Sequence, residues 1–140
     1  MVSNNEELRK LAAEAESHQR MQNALREQIV SVNMASMESA VAINSIEKIK
    51  GGENSLVSLG SGVFVKAKLE KNQKILIDMG SGLYGEVEPE KAIEILKKRI
   101  EEGKSYSDKL EEEMRKIKNN LSELENRARK YLEWLNVGFT

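Results

Sequence analysis

Residues 56–88 read LVSLGSGVFVKAKLEKNQKILIDMGSGLYGEVE, and this stretch decides the fold. Apolar and polar residues alternate through it with the period of two that is typical of β-strands. The pattern predicts four short strands, over residues 55–59, 63–69, 74–79 and 83–88.

The motif Gly-Ser-Gly occurs twice in this stretch, at residues 60–62 and again at residues 80–82. Each copy is predicted to turn one strand into the next, because glycine readily adopts the positive φ of tight hairpin turns. A further turn is predicted at Lys71-Asn72. The stretch is therefore interpreted as two β-hairpins in tandem.

Heptad repeats flank the hairpins on both sides, with spacings of three and four residues in alternation, as a coiled coil requires. The upstream seam is Leu8, Leu11, Ala15, His18, Gln22, Leu25, Ile29, Val32, Ser36, Ser39, Ile43 and Ile46. The downstream seam is Ile93, Leu96, Ile100, Gly103, Ser107, Leu110, Met114, Ile117, Leu121, Leu124, Ala128, Tyr131 and Leu135. Gly51-Gly52 is expected to end the first helix, and Pro89 to begin the second.

An isolated helix cannot bury its seam, so the two helices are predicted to pair with each other in antiparallel orientation. A register in which paired residue numbers sum to 139 sets Ile46 against Ile93 and Ile29 against Leu110, and a slip of one heptad is the main alternative. The predicted fold class is α+β, a long antiparallel coiled-coil helical hairpin with two tandem β-hairpins between its helices. The predicted segments are an N-terminal helix over 5–50, hairpins over 55–88, a C-terminal helix over 89–136 and a tail over 137–140.

The predicted hairpins need partners. Four short strands do not close a barrel, and unpaired strand edges are normally paired or covered. The two helices are committed to each other, so no other segment of the chain is expected to cover these strand edges. We therefore predict an oligomer in which the missing strands come from other chains.

Composition excludes several classes of function. The formal net charge is −1, which provides no basic surplus for binding a nucleic-acid backbone. The chain has no cysteine, which excludes disulfides and cysteine metal sites. Its N-terminus lacks the pattern of a secretory signal, and no stretch approaches the ~20 apolar residues of a membrane span. We expect a cytoplasmic protein with no membrane partner.

No catalytic constellation is apparent. Ser61 and Ser81 stand in Gly-Ser-Gly but not in a nucleophile elbow, and the only histidine, His18, lies in the first helix. Neither turn has the features of a phosphate-binding loop. His18 and Gln22 occupy seam positions, where polar residues set register and oligomeric state. The chain is therefore predicted not to be an enzyme and to use no cofactor or metal.

The helix ends remote from the hairpins are unusually apolar. Of six aromatic residues in the chain, Tyr131, Trp134 and Phe139 fall within the last ten positions. The antiparallel register brings them beside Met1 and Val2. An exposed apolar cluster of this kind marks a binding surface or an assembly contact. The alternative is that these residues simply close off the coiled coil.

The segments LVSLGSGVFVKAKL (56–69) and IDMGSGLYGEVEPEKAIEILKKRIEE (77–102) resemble the α-class subunit of prefoldin. The resemblance extends over nearly the whole chain, and its specific part is residues 56–100. One departure is Ser58, where the family commonly has proline before the glycine turn.

The resemblance implies an ATP-independent chaperone of the archaeal or eukaryotic cytosol. Two α-class and four β-class chains would form an α2β4 hexamer on a double β-barrel, with coiled-coil tips that hold unfolded proteins and deliver them to a group II chaperonin. The interface residues would be Leu56, Val57, Leu59, Val63, Phe64, Val65, Ile75, Leu76, Ile77, Leu83, Tyr84 and Val87. The client-binding residues would be Val2, Leu8, Leu11, Tyr131, Leu132, Trp134, Leu135, Val137 and Phe139.

Two alternatives remain from the sequence. A structural coiled-coil protein that assembles through its hairpins, for example into filaments, predicts that loss of the tips changes no function. A helical arm that positions nucleic acid predicts a basic stripe on one helix face, whereas the charges along the helices are of mixed sign.

Overall fold

A computed structural model describes residues 2–52 and 54–137, without the side chains of residues 2–4 and 136–137. The predicted α+β fold is confirmed, and each strand boundary lies within one residue of its predicted position. The elements in chain order are α1 (Val2–Ile49), β1 (Asn54–Gly60), β2 (Val63–Lys68), β3 (Ile75–Gly80), β4 (Leu83–Val87) and α2 (Pro89–Val137).

The strands form two separate antiparallel hairpins, β1 with β2 and β3 with β4. Both predicted Gly-Ser-Gly turns are confirmed. In each turn the serine and the glycine that follows it both have a positive φ. The φ angles are 51° at Ser61, 74° at Gly62, 55° at Ser81 and 75° at Gly82. Two central residues of positive φ are the requirement of a type I′ turn, whose twist matches that of the strands. The predicted third turn is also present, with Asn72 at a φ of 58°.

All predicted seam side chains, in α1 from Leu8 to Ile46 and in α2 from Ile93 to Leu135, are buried or half-buried. The chain divides into two compact units, which are described separately. One unit, here called the terminal unit, comprises the chain up to Val32 and from Ser105 onward. The other, the central unit, is Asn33–Lys104.

The core of the terminal unit is built from seam residues of both helices. Leu25, Leu110, Met114 and Ile117 are buried together, and Ile29 packs against them. Leu25 with Met114, and Ile29 with Leu110, are pairs whose residue numbers sum to 139. The predicted antiparallel register therefore agrees with the packing of this unit.

His18 introduces a polar atom into this seam. Its Nδ1 is buried and has no hydrogen-bond partner among the described residues. An unsatisfied buried polar atom costs about 1–3 kcal/mol, so we expect His18→Leu to raise the free energy of unfolding by about 1–2 kcal/mol. The urea midpoint, followed by circular dichroism at 222 nm, checks this. Gln22→Leu is the matched control at the next seam position, and an equal gain in both variants would contradict a specific effect of Nδ1.

The core of the central unit joins the helices to the second hairpin. Ile46, Ala92, Ile93 and Leu96 of the helices are buried against Ile77 of β3. The half-buried residues packed on this cluster are Ala42, Ile43, Ile75, Val87 and Ile95. The helices therefore cover one face of β3–β4, while the sheet of this hairpin still has only two strands. Apolar helix residues outside the seam make the apolar surface of the helices broader here. The inward face of this hairpin packs against them.

Polar contacts of Arg99 and Lys50 also lie within the central unit. The guanidinium of Arg99 in α2 donates a hydrogen bond to the backbone carbonyl of Asp78 in β3. At the end of α1, the ammonium of Lys50 lies 3.3 Å from the carboxylate of Glu47 and 3.6 Å from that of Glu90. The hydrogen bond to Glu47 is the main cause that raises the pKa of Lys50, with a smaller effect from Glu90.

Gly52 follows the end of α1 and contacts the loop that joins the hairpins. Its N–H donates to the carbonyl of Ile49 at 3.0 Å, and its φ is +76°. The N–H of Asn72 in that loop donates to the carbonyl of Lys50 at 2.9 Å. The loop therefore lies directly against the backbone of the helix end.

The first helix is poor in charge over much of its length. Between Glu27 and Glu47 the only charged residue is Glu38. By length and composition alone, α1 is long and apolar enough to cross a membrane, a property that core helices of soluble proteins share. The expectation that no stretch approaches a membrane span therefore needs correction for the average hydropathy of α1. Serine and asparagine interrupt the apolar residues, so no continuous apolar run marks the stretch, but its average composition is apolar.

Candidate functional site

The first candidate surface lies on the two hairpins. Nine of the twelve interface residues predicted there are exposed: Leu56, Val57, Leu59, Val63, Phe64, Val65, Leu76, Leu83 and Tyr84. Leu56 and Val57 are consecutive in β1 and point to opposite faces of the hairpin, yet they are 66% and 43% exposed. The first hairpin thus presents apolar side chains on both faces.

The other three predicted interface residues face the core of their own chain. Ile77 is buried, at 7% exposure, and Ile75 and Val87 are half-buried against the same cluster. Met79 was not among the predicted interface residues, although it continues the alternation of Ile75 and Ile77. It is 54% exposed, and its Cγ lies close to the backbone of Gly85. The same period-two pattern that selected its neighbours identifies Met79.

The second candidate surface is the tip, defined as the ends of α1 and α2 in the terminal unit. A shallow groove here is lined by Glu7, Leu11, Arg127, Lys130 and Tyr131. The two helix ends therefore meet, as the antiparallel register predicts. Acidic and basic groups border an apolar floor.

The predicted tip residues differ in their exposure. Leu132 and Trp134 are 54% and 63% exposed, whereas Leu11 is buried. The half-buried members are Leu8, Tyr131 and Leu135. The side chains of Val2 and Val137, and the whole of Phe139, lie outside the described residues. Within the described tip, the side chains free to contact another molecule are chiefly Leu132 and Trp134.

These two surfaces can bind another molecule by burying apolar area against it. Among the described residues, no group of three or more histidine, cysteine, aspartate or glutamate side chains is placed to hold a metal. Ser61 and Ser81 are exposed turn residues, and His18 is a seam residue of α1. His18 belongs to the terminal unit, whereas Ser61 and Ser81 belong to the central unit.

The sequence profile of the family "Prefoldin subunit" matches residues 5–134, which include both hairpins and nearly all of both helices. The chain belongs to the prefoldin family. The resemblance first drawn from residues 56–100 is thereby confirmed, and the hairpins and tips described above are those of a prefoldin-type subunit.

Among archaeal relatives of this prefoldin-family chain, "Prefoldin subunit alpha 1" of Methanocaldococcus jannaschii is 34% identical over 128 residues, 91% of this chain and 87% of that protein. "Prefoldin subunit alpha" of Methanococcus aeolicus is 32% identical over 71 residues, 51% of this chain. That second match spans only about half the length of the relative, 49%.

The cryo-EM structure of filamentous PFD from Methanocaldococcus jannaschii is similar in fold, with a TM-score of 0.69 and 20% sequence identity. The match covers 81% of this chain and 96% of that one. At this identity the likeness shows the arrangement of helices and hairpins, and it agrees with the family assignment.

Proposed function

We propose that this chain is a subunit of an ATP-independent chaperone that holds unfolded proteins at its coiled-coil tips and passes them to a group II chaperonin. The observation that carries the proposal is the exposure of Leu132 and Trp134 at the end of a highly charged helix. Membership of a family of chaperones supports the same reading. We further propose that it acts in the cytoplasm, without enzymatic activity or a cofactor.

The partners proposed for assembly are β-class prefoldin subunits and a second α-class chain, in an α2β4 hexamer with a shared β-barrel. Support comes from the first hairpin, which exposes apolar side chains on both faces. An isolated two-stranded hairpin is marginally stable, and exposed strand edges invite pairing with other strands. The exposed positions of the second hairpin, including Leu76, Leu83 and Tyr84, would join the same interface.

The proposed mechanism is physical. Each tip buries a small apolar area of a client, worth about 25 cal/mol per Å². Several tips acting on one client chain raise the overall affinity through their high effective concentration. Because each contact is weak, a chaperonin that competes for the same apolar segments can remove the client without a chemical step.

A second candidate function is a structural assembly, such as a filament, that binds no clients. The specific observation that favours it is the similarity in fold to a filamentous PFD. In both proposals the subunits assemble through the hairpins. The proposals differ in whether the tips bind unfolded proteins.

The test is suppression of light scattering when a guanidinium-unfolded protein is diluted into buffer without ATP. With Leu132→Ala and Trp134→Ala combined, we expect the concentration of assembly needed for half-suppression to rise about fivefold, because the exposed apolar area falls at the tips that this chain contributes. Trimming to residues 12–127 is expected to have a larger effect.

Tyr106→Ala is the matched control, since Tyr106 is an aromatic residue of α2 that is 50% exposed but lies outside the tip. Suppression that is equal in the tip variant and the control would place client binding elsewhere. Absence of suppression by the unmodified assembly would favour the structural alternative.

A further inference from the structure

One side of α1 carries exposed apolar residues that neither the seam nor the hairpins use. Within the central unit these are Met34, Met37 and Val41, with exposures of 57%, 68% and 66%. Spacings of three and then four residues place them on one helix face. The seam residues Ser36 and Ser39 are half-buried on the other side of the helix. We call Met34, Met37 and Val41 the methionine face.

The surroundings of this face are unusual for the outside of a coiled coil. Outward positions of such helices are ordinarily charged or polar, which keeps the rod in solution. In α2, nine of the sixteen residues from 89 to 104 are charged, and they meet this expectation. In α1, residues 28–46 carry a single charge, Glu38. Pairing with α2 does not require this apolar exterior, so another apolar partner accounts for it best.

The size of the face limits what that partner can be. Three side chains bury roughly 300 Å², whereas a stable protein interface takes about 800 Å² from each partner. The face is therefore too small to hold a permanent dimer by itself. It is suited to a weak and reversible contact that adds to contacts elsewhere.

The chemistry of the face defines the partner further. A charged group laid against it would lose water without gaining a counter-charge, apart from Glu38, so the favoured partner is apolar and uncharged. Methionine is unbranched and polarisable, and it adapts to irregular shapes, which makes methionine-rich surfaces suited to varied partners. A segment of non-native polypeptide has both the required polarity and the required variety.

We propose that the methionine face is a second binding site for apolar segments of non-native polypeptides, in addition to the tips. This inference rests on the proposed function, because it assumes that the assembly binds clients. It assigns part of that binding to the face of α1 that lies opposite the seam.

The first experiment places a probe on the face. The chain has no cysteine, so Met37→Cys gives one site for an environment-sensitive fluorophore, and Lys98→Cys on the charged face of α2 gives the matched control. The labelled assemblies are titrated with reduced, carboxymethylated lactalbumin, which stays unfolded. We expect a blue-shifted and brighter emission from residue 37 and no change from residue 98.

The second experiment removes the apolar surface. Met34→Gln, Met37→Gln and Val41→Gln combined preserve side-chain length and helix propensity at the two methionines, and they raise helix propensity at residue 41. We expect apparent affinity for the unfolded lactalbumin to fall about fivefold. Circular dichroism and oligomer mass are expected to stay unchanged. Met21→Gln, at a methionine of α1 that is 51% exposed outside the face, is expected to bind as the unmodified chain does.

Each other outcome overturns the inference in a recognisable way. A silent probe at residue 37 and unchanged binding by the triple variant, with lactalbumin still bound, would reject the face and leave the proposed function standing. No binding of lactalbumin by the unmodified assembly would reject both. A probe response to added unlabelled chain, or to phosphatidylcholine vesicles, in the absence of lactalbumin would assign the face to self-association or to lipid.

Discussion

Replacing Gly52 by alanine will lower the free energy of unfolding by about 3 kcal/mol. Two effects add at this position. The φ of +76° lies in the left-handed region that L side chains rarely adopt. In addition, a Cβ at Gly52 would lie 2.8 Å from the backbone nitrogen of Lys71 and 3.1 Å from its Cα. Both contacts are with backbone, which cannot move aside as the end of a flexible side chain does.

Gly51 provides the matched control for this prediction. No atom lies within 4 Å of the position that its Cβ would occupy. Gly51→Ala is therefore expected to change stability by less than about 0.5 kcal/mol. Urea unfolding at fixed protein concentration, followed by circular dichroism, compares the two variants. Equal stability of the alanine variants at positions 51 and 52 would show that the contact with the Lys71 backbone is not maintained in solution.

The same substitution is expected to affect assembly. The loop that meets Gly52 also receives the hydrogen bond between Asn72 and Lys50, and it separates the two hairpins. Displacing this loop would shift the first hairpin, whose apolar faces are proposed to contact other subunits. We therefore expect Gly52→Ala, but not Gly51→Ala, to reduce the oligomer fraction measured by light scattering coupled to size-exclusion chromatography.

Replacing Leu110 by alanine will destabilise the terminal unit by about 3 kcal/mol, within the range found for buried leucines. Leu110 is only 4% exposed and belongs to the cluster with Leu25, Met114 and Ile117. Truncation removes apolar contacts and leaves a cavity in a seam whose neighbouring layers come from two helices. The seam has few other side chains able to fill that space.

Leu132→Ala tests the same chemical change at an exposed leucine of the same helix. Because Leu132 is 54% exposed, its truncation is expected to cost less than about 1 kcal/mol. The urea midpoints of the two variants decide the matter. Similar midpoints for both would contradict the assignment of Leu110 to the core. The comparison also separates stability from function, since Leu132 belongs to the proposed client-binding tip.

Much of this fold could be predicted from local patterns. Heptad spacing identified the seam, because a residue must recur every three or four positions to stay on one side of a helix. The Gly-Ser-Gly turns were recognisable because few residues tolerate the φ angles of a type I′ turn. The packing of Ile29 against the cluster of Leu110 was predicted by requiring apolar layers along two helices that leave the same pair of hairpins.

The packing of the second hairpin was not predicted. The apolar helix residues Ala42, Ala92 and Ile95 lie beside the seam, outside its a and d positions, and heptad spacing does not select them. Their role depends on where β3–β4 settles, which no periodicity encodes. The distinction between the buried Ile77 and the exposed Leu76 likewise depends on which face of the hairpin meets the helices.

The sequence by itself determined the two helices, the hairpins with their turns, the antiparallel register and the family. These features depend on residue spacing and backbone preference, which are local properties. Only the tertiary structure decided which apolar residues are satisfied within the chain and which remain exposed. It assigned Ile77 to the core and left Met34, Met37 and Val41 on the surface. Burial is a property of neighbours in space, so it is known only once all the elements are in place.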